Sequence, residues 1–250
     1  MKNILLAGAT GFLGNQILQE LGKEDFKITA VSRTKIKNLP ENAQEQIIDF
    51  DCLKELNFPE TDHVYLALGR PMYLHNLAGL INKDLKEGLS LVDYEYQLQI
   101  AKKALEVGAK SITLISAIGS SASSINYYLR TKGKLEEEIV KLSFNSINIF
   151  RPGHIVGNKG RFDTIFADLV SAITDPFLVG PAKKFRSISI KNLPKVVVNL
   201  SSQEKSGINY YEFIDFKKSK IVGVWRAKLT IAALLVDLIC CDKHQNGDRM

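Results

Sequence analysis

The segment NILLAGATGFLGNQIL, residues 3–18, limits the fold of this chain more than any other. Four apolar residues, Ile4 to Ala7, run into Gly8, and Gly11 and Gly14 follow at three-residue spacing as a helical pattern begins. A strand that turns directly into a helix needs a residue free of Cβ strain, and a pyrophosphate reaches a helix N-terminus only where no side chain intervenes. Gly14, one turn into the helix, permits close packing against the sheet. Three glycines alone are weak evidence, because many loops carry them. Their place between a strand and a helix is what points to dinucleotide binding rather than to a merely structural turn. The apolar run is also too short for a signal-peptide core.

Short apolar runs alternate with helical patterns through the first 150 residues, as in βαβ units on a parallel sheet. Six strands are expected, at Asn3–Ala7, Lys27–Val31, Gln46–Asp49, His63–Leu68, Ser111–Ile115 and Ser146–Phe150. Between the fourth and fifth, Leu91 to Val107 places Leu91, Tyr94, Leu98, Ala101 and Leu105 on one helical face, with Gly108 as a C-terminal stop. After Pro152 the alternation weakens, and Pro176, Pro181 and Pro194 interrupt it, as loops closing over a site would. The expectation is an α/β protein: a Rossmann-type doubly wound parallel sheet over residues 1–218, with substrate loops around 153–194. Residues 219–250 read as an extension, helical and then disordered. Its 13-residue run Leu229–Cys241 is too short for a bilayer, which needs ~20 residues, and reads as a packed terminal helix.

Composition narrows the function. Of 250 residues 45% are hydrophobic and 24% charged, a globular balance. The net charge of +6 favours anionic small ligands only weakly and lacks the dense basic stripe of a nucleic-acid binder. Cys52, Cys240 and Cys241 form neither a disulfide framework nor a CxxC site, so a reducing compartment, the cytosol, is expected. His63, His75 and His154 lack the paired spacing of metal ligands, and no metal is expected.

The second strand carries the coenzyme signal. Where an NAD enzyme places an acid for the ribose hydroxyls, this chain has Ser32 and Arg33. A guanidinium there pairs with the 2′-phosphate of NADP, with Ser32 as a hydrogen-bond donor, and an ordinary solvated basic loop is the alternative. The fifth strand ends at Ser116, and twelve residues on comes Tyr128, with Lys132 one helical turn later. Phenol and ammonium at i and i+4 share a helix face. Such a tyrosine can protonate a carbonyl oxygen while hydride reaches its carbon, with Lys132 supporting it and holding the nicotinamide ribose, and Ser116 orienting the substrate. Tyr127 has Thr131 at the same spacing, so Tyr128 is the phenol chosen.

The stretches GATGFLG, ALG, SAIGSS, YLRTK and FRPG, in this order, resemble an atypical short-chain dehydrogenase/reductase. The run from LVDYEYQ to KLEEEI is similar to the Tat-interacting protein oxidoreductase-like subgroup. The likeness covers roughly residues 1–215. It implies a Rossmann domain, NADP, and a catalytic set carried onto Ser116, Tyr128 and Lys132. By the same likeness Gly8, Thr10, Gly11, Phe12 and Leu13 line the pyrophosphate and Arg33 the 2′-phosphate, Asp49 and Phe50 flank the adenine, and Ala67, Leu68 and Gly69 back the cofactor. The chain departs from better-known enzymes in having Ala67-Leu68-Gly69 for their Asn-Ala-Gly, and no Asn in the helix before the fifth strand, where Gln97 substitutes poorly.

Pro152-Gly153 can set backbone groups against the nicotinamide amide, though the pair is first a turn signal. Arg70 reads as an exposed loop residue within reach of an anion, and Glu136, Glu137 and Glu138 as a solvated helix face. Phe162, Phe166, Phe177 and Phe185 suggest an apolar substrate or else core. The function expected is NADP-dependent hydride transfer to a small-molecule carbonyl. The alternative is a non-catalytic redox sensor or regulatory adaptor, since members of this subgroup have been described as regulators. A protein partner or homodimer stays open; no nucleic acid and no membrane span are expected.

Overall fold

The computed structural model describes residues 1–70, 82–157, 168, 170–203 and 205–218. The expected tail helix Leu229–Cys241, the extension 219–250, His75, Phe162 and Phe166 lie outside the described residues.

Seven parallel strands form one sheet among the described residues: β1 (Lys2–Ala7), β2 (Phe26–Ser32), β3 (Ala43–Ile47), β4 (His63–Leu66), β5 (Ser111–Ile115), β6 (Ser146–Phe150) and, after the two-residue strands β7 (Ile155–Val156) and β8 (Ile188–Ser189), β9 (Gly207–Tyr211). The order β3-β2-β1-β4-β5-β6-β9 reverses direction between β1 and β4, the doubly wound arrangement that was expected. The register sets Ala7 beside both Val31 and Leu66, so β1, β2 and β4 end level with one another.

Period-two alternation divides the core. Leu5, Ala7, Val64, Leu66, Ile112 and Leu114 face α3 (Tyr96–Glu106) and α4 (Tyr127–Val140), through Ile100, Ala104, Leu135 and Ile139. Ile4, Leu6, Ile28 and Ala30 face α1 (Phe12–Leu21) and α5 (Leu193–Ser201), through Ile17, Leu18, Leu193 and Val197. Strands covered on both faces must be apolar throughout, which is why these runs were legible.

Three expectations need correction. The third strand is Ala43–Ile47, not Gln46–Asp49, because an edge strand tolerates Gln44, Glu45 and Gln46, which carry no apolar signal. The edge strand β9, GINYY, was missed because it lies beyond Pro152, where the alternation of strand and helix patterns weakens. The helix expected over 91–107 begins instead as a π turn, Leu91–Glu95, after α2 (Lys83–Ser90). The buried face is Asp93, Tyr96, Gln97, Ile100, Ala101 and Ala104, one residue round from the expected stripe, while Leu91 is exposed and Tyr94, Leu98 and Leu105 are only partly covered.

Candidate functional site

A cleft opens at the carboxyl ends of β1, β2 and β4, beside the point where strand order reverses, which is where open α/β sheets bind ligands. Gly8, Thr10, Gly11, Ser32, Arg33, Phe50, Ala67, Leu68 and Gly69 line it, with Val31 and Val92, which sequence reading did not name. Gly8 has φ +100°, and a Cβ there would sit 2.5 Å from the Ala67 carbonyl oxygen. The Gly11 amide donates to the Gly8 carbonyl at 2.9 Å and closes the turn. At Gly14 a Cβ would lie 2.1 Å from the same oxygen, so α1 approaches the turn as only glycine allows. No side chain caps α1 at Gly11, where Phe12 and Leu13 begin the helix. Backbone N–H groups of such a first turn are the usual partners of a phosphate.

At the far end of the cleft the Arg33 guanidinium lies 6.0 Å from the Phe50 ring centroid, and Phe50 meets Tyr96 edge-on. The Ser32 hydroxyl donates to the Thr34 carbonyl at 2.6 Å and shapes the loop that presents Arg33. Asp49 is exposed and caps the following 3-10 turn by accepting from the Asp51 amide. A Cβ-free turn, an uncapped helix start and a basic, aromatic-backed far end fit a dinucleotide phosphate. Pro152 and Gly153 are tied elsewhere: the Pro152 carbonyl accepts from Ile118 N at 2.9 Å, and a Gly153 Cβ would sit 2.8 Å from the Arg186 oxygen.

The near end of the cleft meets α4, whose start is capped by Asn126 accepting from the Leu129 amide. Lys132 is buried, with Nζ 2.9 Å from an Asp93 oxygen and 3.5 Å from the Leu68 carbonyl. The other Asp93 oxygen accepts from the Arg70 amide at 2.8 Å. Burial would lower Lys132, but Asp93 foremost raises it above the ordinary lysine value. The Tyr128 phenol is raised by burial, with Lys132 opposing and Asp93 adding to the rise. The neighbouring Tyr127 points away, its hydroxyl donating to the Lys86 carbonyl at 3.2 Å. The Arg70 side chain turns back onto Gly88 of α2.

Ser116 is brought to a different partner. Its hydroxyl donates to Glu136, and Ser120 Oγ lies 3.1 Å away. Glu136 in turn takes a forked contact from Arg151, Nε standing 3.1 and 3.2 Å from the two carboxylate oxygens and Nη2 closer still. This corrects the reading of Glu136 as solvated: it is buried, and only Glu137 of the three is fully exposed. Tyr128, Lys132 and Glu136 form one i, i+4, i+8 stripe, a spacing that could have exposed Glu136 in the sequence. Asp93, also missed, had a fainter signal as a lone acid between Val92 and Tyr94. Gln97 is buried, its amide donating to the Asp93 carbonyl.

The two histidines among the described residues both have partners. His63 is a core residue stacked on Tyr65 and bonded to Thr113 at 2.7 Å, and His154 pairs with Asp168 at 2.6 Å. Among the described residues no cluster could hold a metal ion, and no helix is long and apolar enough to cross a membrane.

The HIM1 family profile matches residues 79–174. Rat Protein HTATIP2 is 31% identical over 165 residues, which cover 63% of this chain and 64% of that protein. The Debaryomyces hansenii protein named "Protein FMP52, mitochondrial" is 32% identical over 203 residues, 79% of this chain and 87% of the relative. This chain belongs to the HTATIP2/FMP52 family of atypical short-chain dehydrogenase/reductases. The HTATIP2/FMP52 fold is also that of the human epimerase family protein SDR39U1, solved with NADPH, at a TM-score of 0.58 and 16% identity over 84% of this chain and 74% of that one. The names within the HTATIP2/FMP52 family overturn the expectation of a cytosolic protein, because FMP52 members from several yeasts are named mitochondrial. Scarce, scattered cysteines do not single out the cytosol.

Proposed function

We propose that the protein is an NADP-dependent oxidoreductase that moves hydride between NADPH and a carbonyl compound, with Tyr128 as general acid. The observation that carries this reading is that the glycine-turn cleft runs into the Tyr128–Lys132 face of α4 at Leu68 and Gly69. Gly8, Thr10, Gly11, Phe12, Leu13 and Gly14 would hold the pyrophosphate, Arg33 with Ser32 the 2′-phosphate, and Asp49 and Phe50 the adenine. Ala67, Leu68 and Gly69 would back the cofactor. When bound, NADPH supplies the hydride. Tyr128 gives its phenolic proton to the carbonyl oxygen and regains one from solvent. Lys132, held cationic by Asp93, directs a remaining N–H at the ribose hydroxyls. Ser116 stands at the carboxyl end of β5 to orient the substrate oxygen, which requires its hydroxyl to turn from Glu136. Phe177 and Phe185 are exposed rather than core, in keeping with an apolar substrate. The FMP52 relatives named mitochondrial support a mitochondrial location.

A second reading, an NADP-binding sensor or adaptor without turnover, is favoured by one observation: Lys132 is ion-paired with Asp93 rather than left to Tyr128. NADPH oxidation over a panel of aldehydes, ketones and quinones separates the two. Under the first reading, Tyr128→Phe keeps NADPH affinity within a few fold and loses about 10² to 10⁴ in rate, the usual worth of general acid catalysis. Unchanged turnover in that variant removes Tyr128 from the mechanism. Tight NADPH binding with no turnover on the whole panel selects the sensor.

A further inference from the structure

We propose that Asp93 is a positioning residue of this site: it fixes the Lys132 ammonium beside the cleft and balances its charge, so that Tyr128 is set to give a proton rather than to take one. The reductase direction implied here rests on the function proposed above; the charge arrangement does not.

The geometry is held from two sides. One Asp93 oxygen stands 2.9 Å from Lys132 Nζ, the other accepts from the Arg70 amide at 2.8 Å, and the two side chains are 1% and 4% exposed. Asp93 lies in the π turn and shares one buried face with Gln97 and Ile100, four and seven residues on. An ammonium buried this deeply needs a counter-charge. Once Asp93 supplies it, the pocket is neutral while Tyr128 is a phenol. Ionising the tyrosine would add a second negative charge against a cation already matched. Of the other charged groups around α4, Glu136 on the same stripe also favours the Lys132 cation but is itself matched by Arg151, and the Arg70 guanidinium lies against Gly88. Burial and Asp93 both raise the phenol, against Lys132.

The chemical consequence is directional. Reduction of a carbonyl needs the phenol, which is present throughout the neutral range. Oxidation of the alcohol needs a base to take the hydroxyl proton, and the tyrosinate that would do so appears only at alkaline pH.

The test is the ionisation of Tyr128 in the cofactor-free protein. It is read as the near-ultraviolet tyrosinate absorbance of the wild type minus that of Tyr128→Phe, and again for Asp93→Asn minus Asp93→Asn/Tyr128→Phe. The wild-type midpoint should lie above the ordinary tyrosine value of about 10, and Asp93→Asn should lower it by about one to two pH units, as expected for removing a unit negative charge from the same buried pocket. Asp93→Glu should move it back toward the wild type. Equal midpoints with and without the Asp93 carboxylate overturn the proposal, as does a wild-type midpoint at or below the ordinary value. The wild-type measurement decides alone if Asp93→Asn does not fold. A shifted midpoint with no turnover on any substrate supports the role of Asp93 and counts against the reductase reading, so the two fail separately.

Discussion

Replacing Glu136 by Ala tests whether this carboxylate organises the end of the site. The side chain is 4% exposed and holds three things at once: the Ser116 hydroxyl, both faces of the Arg151 fork and, through Arg151, the end of β6. Removing one partner of a buried ion pair costs about 3–5 kcal/mol, chiefly because the other is left without a counter-charge. Arg151 is 24% exposed and keeps its place over the Tyr210 ring at 4.5 Å, so water recovers part of that loss. The lower end, about 3 kcal/mol, is therefore expected. For a domain of this size each kcal/mol shifts the melting temperature by about 2–4 °C, which predicts a fall of about 6–12 °C. The control is Glu137→Ala, one residue on and exposed, where a surface substitution stays within about 0.5 kcal/mol. Calorimetry or thermal circular dichroism of the two variants gives the difference directly. If they melt within about 2 °C of each other, less than one kcal/mol separates them, and the Ser116–Glu136–Arg151 network does not hold the site as argued.

Arg33→Ala should weaken NADPH by about ten to a hundred and fifty fold, the worth of a charge-assisted phosphate contact, and leave NADH nearly unchanged. Fluorescence titration of both coenzymes checks it, and NADH binding the wild type as tightly as NADPH defeats the reading of that loop. His63 is pushed down to about 3, first by burial and then by Lys2. Its neutral form thus stabilises the fold fully above about 6.5, and this is lost as pH falls towards 3, at roughly 1.4 kcal/mol per pH unit. Urea unfolding at pH 7 and pH 5.5 should show a loss in the wild type that His63→Asn lacks; an equal loss in both would assign the acid sensitivity elsewhere.

The sequence by itself determined whatever depends on residues near one another in the chain. The strand–glycine–helix unit at Gly8, Gly11 and Gly14, four of the buried parallel strands closely and a fifth nearly so, and the pairing of Tyr128 with Lys132 are all local patterns with one dominant solution. Arg33 after β2 was legible for the same reason, since the end of that strand is fixed by the apolar run before it. Only the tertiary structure decided who partners whom. Ser116 and Glu136 are twenty residues apart and meet because β5 and α4 pack together. Asp93 reaches Lys132 across thirty-nine positions because the π turn packs against α4, a juxtaposition that spacing within one segment cannot show. Glu136 looks like its exposed neighbour Glu137 in composition. Glu136 lies on the face that α4 turns to the sheet and Glu137 does not, and the charge so buried is matched by the guanidinium of Arg151, brought beside it by the end of a different strand.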